Sequence, residues 1–287
     1  MPNSSMTTGI QSVKQVCPTK AGLKQVFIVT TTAGKAVFAQ DTGKAHNWLS
    51  HNCIEPSAIR YVRKNGFHKT PRVIDAAKNE SWQITTYEGI EDFVELRQRR
   101  DAYFELGRIQ GQIHSLQTPP GYGGLRTKPR LEGTQETWTD TVLQILDQAA
   151  PFPGKQEFCQ QITESEVQAQ PCVSHGDYSP RNIRVDKDNN IKAVIDWQNC
   201  WVSDGLTPFL YRRMRLEQNV SEDNVQAYTE GYKSTCPQSV KELSPKQTTV
   251  AYFIAHARLY NEQPRTVTPF LQTYKNLDRK ITLNQVL

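Results

Sequence analysis

Residues 174–197 read Ser174-His175-Gly176-Asp177-Tyr178-Ser179-Pro180-Arg181-Asn182-Ile183-Arg184-Val185-Asp186-Lys187-Asp188-Asn189-Asn190-Ile191-Lys192-Ala193-Val194-Ile195-Asp196-Trp197, and this stretch decides the fold. The turn-rich Lys187-Asp188-Asn189-Asn190 joins two alternating runs, the pattern of a β-hairpin. With the fold-back centred near Asn189, Ile183 faces Ile195 and Val185 faces Ala193 on one apolar side. Antiparallel pairing then sets the start of the first strand beside the end of the second, so Asn182 approaches Asp196 although fourteen positions separate them. Asp177 lies on the loop just before. Two carboxylates and one amide oxygen at one sheet end form the hard-oxygen donor set that Mg²⁺ accepts when substrate phosphates and water complete its octahedron. Each residue alone is ordinary hairpin punctuation. Jointly, H-G-D-x-x-x-x-N, a hairpin and an apolar run ending in Asp-Trp form a patterned set that chance seldom supplies.

Upstream, residues 1–19 are polar and without period and read as a loose lead-in. Residues 20–88 form a small strand-rich unit. Val26 to Thr31 and Ala36 to Gln40 flank the turn Thr32-Ala33-Gly34-Lys35 as a hairpin, and residues 73–75 and 81–87 read as two further strands. A helix over residues 55–65 carries Pro56 in its first turn and ends at Gly66. After Gly89 the pattern becomes helical. Leu106, Ile109, Ile113 and Leu116 mark one face of a helix over residues 95–116. A loop follows at residues 119–124, then a helix over residues 138–149, and the chain is mostly helical from residue 222. Residues 20–88 and 89–287 therefore form a sheet lobe and a helical lobe, with residues 174–197 inside the second.

The bulk numbers narrow the class. A chain of 287 residues, 37% hydrophobic and 22% charged, can bury a substantial core. No run nears the roughly 18 apolar residues that span a bilayer. No export signal is visible, so a cytoplasmic protein is expected. The six scattered cysteines lack a C-x-x-C pair and suit reduced, buried thiols. A net charge of +5 without a basic block interleaved with aromatics argues against nucleic acid as a partner, and nothing argues for a membrane. Oligomeric state leaves no mark in the sequence.

The motif resembles that of the aminoglycoside phosphotransferase and choline kinase family, small-molecule kinases whose H-G-D-x-x-x-x-N is followed by a hairpin and Ile-Asp-Trp. The similarity extends to the helix ending in His114 and to the helix at Glu55 followed by Gly66 and Pro71, over roughly residues 20–235. It implies an α+β, bilobal, protein-kinase-like fold, with a small antiparallel-sheet N-lobe and a larger, mostly helical C-lobe. It further implies Asp177 as the base toward the acceptor hydroxyl, with Asn182 and Asp196 holding Mg²⁺ on the phosphates of ATP or GTP. Phosphoryl transfer rests on such positioning and charge stabilisation. His175 then orients the loop. Nucleotide contacts are expected from Gly22, Lys24, Glu55, Thr86 and Tyr87.

Two departures from the pattern stand out. The strand ending Phe38-Ala39-Gln40 lacks the basic residue that pairs with a helix glutamate, here Glu55, leaving Lys24 and then Lys44 as replacement phosphate anchors. After Asp196, Asp204 is retained, but Pro208 stands where the family commonly has a loop-supporting Asp. Residues 206–287 hold eleven Lys/Arg against seven Asp/Glu, a net of +4 that disfavours a polycationic antibiotic. The expected partners are a nucleoside triphosphate and a small hydroxylated substrate, metabolite or antibiotic, with a neutral or zwitterionic sugar or amino alcohol foremost. The rival readings are a catalytically weak or inactive nucleotide-binding, regulatory relative and a metal-dependent hydrolase using His175 and Asp177. The residues 252–260, rich in aromatics, read as helix packing through Phe253, Ala257 and Tyr260.

Overall fold

The computed structural model describes residues 10–18, 24–41, 54–77, 82–86, 98–127, 130–149, 151, 155–165, 167–262 and 283–287. Strands β1 (Ile10–Pro18), β2 (Lys24–Thr31), β3 (Gly34–Asp41), β4 (Val73–Ala76) and β5 (Trp82–Thr86) form one antiparallel sheet in the order β1-β2-β3-β5-β4. The expected hairpin is β2–β3, turning at Thr32-Ala33, where Thr31 Oγ1 accepts from Ala33 N–H and donates to Gly34 O. β1 corrects the reading of a loose lead-in over residues 10–18; residues 1–9 and 19 lie outside the described residues. It is an edge strand that pairs with β2 through two register shifts and leaves Ile10 and Val13 68% and 56% exposed, so no alternation marks it in the sequence.

Helix α1 (Glu55–Lys64) follows its sequence cues. Pro56 occupies the first turn, Ala58, Ile59 and Val62 are buried, and Gly66 takes φ +94° so that Phe67 N–H reaches Val62 O at 2.9 Å. In the helical lobe, α2 (Arg100–His114) crosses α6 (Glu222–Thr235) at backbone contact. A Cβ on Gly107 would lie 1.9 Å from Tyr228 O, and one on Gly231 1.9 Å from Phe104 O. Only glycine lets the two helices approach this closely.

Four short strands, β6 (Tyr122–Arg126), β7 (Glu132–Gln135), β8 (Cys172–Ser174) and β11 (Trp201–Ser203), form a second antiparallel sheet, ordered β7-β6-β11-β8. β6 begins inside the stretch 119–124 that reads as loop, because its glycines conceal a strand paired on both sides. Helices α3 (Trp138–Gln148) and α4 (Lys155–Ser165) cover this sheet, with Trp138 6.0 Å from Trp201 in a separate apolar cluster. Helices α5 (Leu206–Glu217), α7 (Gln238–Lys241), α8 (Pro245–Glu262) and α9 (Leu283–Val286) complete the lobe. Phe253 and Ala257 are buried in α8 as the packing reading expects. No described helix is long and apolar enough to cross a membrane.

The decisive hairpin forms as β9 (Ile183–Val185) and β10 (Ile191–Val194), but in a different register. Ile183 pairs with Val194 and Val185 with Ile191, with a bulge between Ile191 and Ala193. The cause is the loop. Asp186 Oδ1 accepts from the Asp188 and Asn190 amides at 3.0 and 2.9 Å, and Asn189 adopts φ 68°, which moves the fold-back one residue toward the amino terminus. Beyond the bulge Ala193 pairs with Arg184, while the paired Ile183, Val194, Val185 and Ile191 are all buried.

Candidate active site

The loop between β8 and β9 is fixed mainly through its backbone. Gly176 takes φ 84°, and a Cβ there would lie 1.8 Å from Asn199 O, so the turn admits no other residue without displacement. His175 is buried and uses both ring nitrogens locally. Nε2 lies 2.9 Å from Ile195 O, and Nδ1 lies 3.3 Å from the amide of Asp177. The carbonyl requires a donor and the amide an acceptor, which fixes the neutral Nε2–H tautomer. Burial pushes the His175 pKa below its ordinary value, consistent with that form. Tyr178 donates to Leu106 O at 2.7 Å and anchors the loop on α2.

Asp177 is thereby presented with its side chain 21% exposed. Its Oδ2 receives Arg181 Nη2 at 2.7 Å and Asn182 Nδ2 at 3.2 Å, while Oδ1 faces Arg212 Nη2 at 3.7 Å. Asn182 also donates Nδ2 to Asp177 O at 2.8 Å, which turns its Oδ1 away; that oxygen has no hydrogen-bond partner among the described residues. Asn182 O accepts from Ile195 N–H at 2.9 Å, so the structure brings Asn182 beside the residue preceding Asp196. Asp196 itself stands at φ 67°, ψ 57°, a left-handed conformation that Asp tolerates better than most residues and that recurs at functional sites. An uncommitted amide oxygen and a neighbouring carboxylate fit Mg²⁺, which favours hard oxygen donors. Among the described residues no group of three His, Cys, Asp or Glu could hold a metal ion, so a cation here would draw most of its ligands from phosphates and water.

The expected nucleotide contacts fare unevenly. Gly22, Tyr87 and Lys44 lie outside the described residues, and Lys24 opens β2 opposite Asp41. Thr86 ends β5, where Oγ1 accepts from Arg72 N–H at 2.9 Å. Glu55 is buried at the seam between the lobes. Its Oε2 accepts from Gln83 Nε2 at 2.5 Å and its Oε1 from Trp197 N–H at 3.1 Å. Gln83 on β5 pairs directly across from Ala39 on β3, so an amide from the next strand meets the glutamate where the kinase plan sets a strand cation. Through these bonds Glu55 ties α1 to β5 and to Trp197, the residue after Asp196.

Asp204 supports α5 rather than the loop. It is buried and accepts from Thr207 N–H and Thr207 Oγ1, both at 2.8 Å, and Pro208 follows inside the first helical turn. Burial pushes the Asp204 pKa up to about 6, against those two bonds. Loop support comes instead from α8, where Arg258 Nη2 donates to Gly176 O at 2.7 Å and its guanidinium lies 4.3 Å over the Tyr211 ring. Arg258 and Arg212 are the site residues that sequence reasoning missed. The available signal was a charged residue on an apolar stripe: Phe209, Arg212 and Leu216 share one face of α5, and Ala251, Ala255 and Arg258 one face of α8.

A five-stranded antiparallel lobe seated on a helical lobe, with an Asp-bearing loop and an Asn–Asp pair at the seam, defines a protein-kinase-like fold of the small-molecule kinase type. The aminoglycoside phosphotransferase APH(4)-Ia shares it at 13% identity over 94% of this chain and 93% of that one, with a TM-score of 0.60. The choline kinase LicA from Streptococcus pneumoniae is similar at 11% identity over 94% of each chain, TM-score 0.53. The spectinomycin phosphotransferase APH(9)-Ia, in complex with ADP and spectinomycin, is similar at 13% identity over 97% of this chain and 92% of that one, TM-score 0.52. Among curated proteins no sequence match is found. The chain belongs to the phosphotransferase enzyme family, whose sequence profile matches residues 19–241.

Proposed function

We propose that the protein transfers the γ-phosphoryl group of a nucleoside triphosphate, ATP foremost, to a hydroxyl of a small molecule. The observation that carries this reading is the convergence of Asp177, Asn182 and the Asp196 turn at the mouth of one hairpin in a chain of this family. Asp177 orients the acceptor hydroxyl and takes its proton as the oxygen bonds to the γ-phosphorus; the bond from that phosphorus to the β,γ-bridging oxygen breaks, and the nucleoside diphosphate leaves. Asn182 and Asp196 would hold Mg²⁺, which when bound neutralises charge on the phosphates. His175 keeps the loop in register through Ile195 O and the Asp177 amide. Arg181, 75% exposed, is free to swing from Asp177 Oδ2 as an acceptor arrives.

His175 has both nitrogens committed to the backbone, which argues against the hydrolase reading with His175 as a metal ligand. The test combines thermal-shift titration with ATP and Mg²⁺ and an ATP-consumption screen over hydroxylated metabolites. The expected result is nucleotide-dependent stabilisation of wild type and Asp177→Asn alike, with turnover only in wild type, at least about 10³-fold above the variant. Stabilisation without turnover on any acceptor would instead establish an inactive nucleotide-binding relative.

A further inference from the structure

The turn that carries Asp196 leans on a bond from the sheet lobe. Asp196 leads into a short helical turn, Trp197–Asn199, and its side chain makes no cap bond there. The first amides of a helical turn lack carbonyl acceptors of their own. The Trp197 amide finds its acceptor in Glu55 Oε1 on α1, at 3.1 Å. The indole is held separately: it is fully buried, and its Nε1 donates to Val194 O at 3.0 Å. The amide bond is therefore the point at which α1 acts on the backbone next to Asp196.

Glu55 serves in this way only if its carboxylate is itself fixed. It is buried, and a buried carboxylate requires donors. Gln83 Nε2, on β5, donates to its Oε2 at 2.5 Å. Gln83 is 6% exposed, and its own Oε1 is buried with no hydrogen-bond partner among the described residues. An acceptor buried in this state costs stability, and an apolar side chain of the same length would avoid the loss. What the amide adds beyond packing is the side-chain bond it makes, and that bond goes to Glu55. Ala39, opposite Gln83 on β3, carries only a methyl group and offers no donor in its place.

We propose that Gln83 is a positioning residue for the metal site: through Glu55 and the Trp197 amide it fixes the turn that aims the Asp196 carboxylate. Partners at this remove orient a ligand and tune its affinity for the cation without touching it. The proposal rests on the phosphotransferase reading and gives the sheet lobe, through an uncharged side chain, a share in holding the cation.

The test is Mn²⁺ binding to the full chain in the presence of AMP-PNP, followed by electron paramagnetic resonance of the free ion, with the melting temperature of each variant measured alongside. Gln83→Met keeps the length and removes the donor, whereas Gln83→Lys keeps a donor. Gln83→Met is expected to raise the Mn²⁺ dissociation constant about 10-fold, and Gln83→Lys to stay within about 3-fold of wild type. A role in packing alone predicts the reverse order, since Met is the better filler of a buried space. In a Glu55→Met background, Gln83→Met is expected to change the constant by less than about 2-fold, because the route through Glu55 is already broken. An unchanged constant in Gln83→Met, a larger loss in Gln83→Lys than in Gln83→Met, or a full additional loss in the Glu55→Met background overturns the proposal. If Gln83→Met does not fold, Gln83→Leu takes its place under the same criteria; failure of both to fold while Gln83→Lys folds assigns Gln83 to stability and overturns the proposal as well. Absence of Mn²⁺ binding to wild type with AMP-PNP is a separate result, one that removes the phosphotransferase reading and the role of Gln83 with it.

Discussion

His175 shows how a residue can matter to chemistry without touching it. Its ring ties Ile195 O to the Asp177 amide and so couples the loop that carries Asp177 to the strand end that carries Asp196. Replacing it with alanine leaves a buried amide and a buried carbonyl unsatisfied, a cost of about 2–3 kcal/mol. On the proposed function, His175→Ala is expected to lower kcat by roughly 30–100-fold with the nucleotide KM nearly unchanged, because position rather than binding is lost. Steady-state kinetics with varied ATP checks this; a rise in KM alone would refute the positioning role. The motif residues were legible because they lie together within residues 174–197. Arg212 and Arg258 were not. They reach the loop from helices 35 and 81 residues beyond Asp177, and in the sequence they count only as two of many basic residues in a basic lobe.

At the scale of elements, the α2–α6 crossing is the seam on which the loop rests. Gly107, Gly111 and Gly231 let the helices meet backbone to backbone; around them Thr235 Oγ1 donates to Arg108 O at 2.6 Å, and Tyr228 bonds Gln110. Gly107→Ala inserts a methyl 1.9 Å from Tyr228 O and forces the helices apart. The expected cost is about 3 kcal/mol, which lowers the melting temperature by roughly 6–12 °C. Differential scanning calorimetry checks it. Activity should fall with stability, since Tyr178 hangs from Leu106 O on the same helix. Helix α2 was readable from its apolar period, whereas the closeness of its partner was not, because a glycine in a helical pattern does not name the residue it makes room for. The β9–β10 register failed for a related reason. The side-chain bonds of Asp186 chose the turn, and a bulge shifted the pairing again within the ladder, which alternation alone cannot foresee.

For the whole molecule, buried titratable groups set the response to acid. Burial holds His114 at about 3 and His256 at about 4 and lowers His175, all below the ordinary 6.5. The unfolded chain therefore binds protons that the folded chain refuses, and stability is lost as pH falls below about 6.5. Asp204, raised to about 6, acts in the opposite sense: the folded state takes its proton first, so this group adds stability as pH falls from about 6 to 4. Three histidines against one aspartate predict a net loss of melting temperature between pH 6.5 and 4. Asp204→Asn is expected to steepen that loss. Thermal melts across this range check both signs, and an unchanged slope in the variant would contradict the assignment to Asp204. The two-lobe plan was legible from the change between strand and helix patterns, whose boundary at residue 88 lies outside the described residues, but the clasp between the lobes was not. Gln83 and the Trp197 amide reach Glu55 across 28 and 142 positions, and neither is a residue type that marks a nucleotide site.

Asp177 stands like a partition with a different neighbourhood on each face. Oδ2 meets Arg181 and Asn182 from the same short loop, and Oδ1 faces a side chain from α5. On the proposed reading, the transfer machinery is encoded in one contiguous segment and the charge that flanks it in a helix that follows. The two can then drift separately: substitutions on α5 change the surroundings of Asp177 while the segment that moves the phosphoryl group is inherited intact.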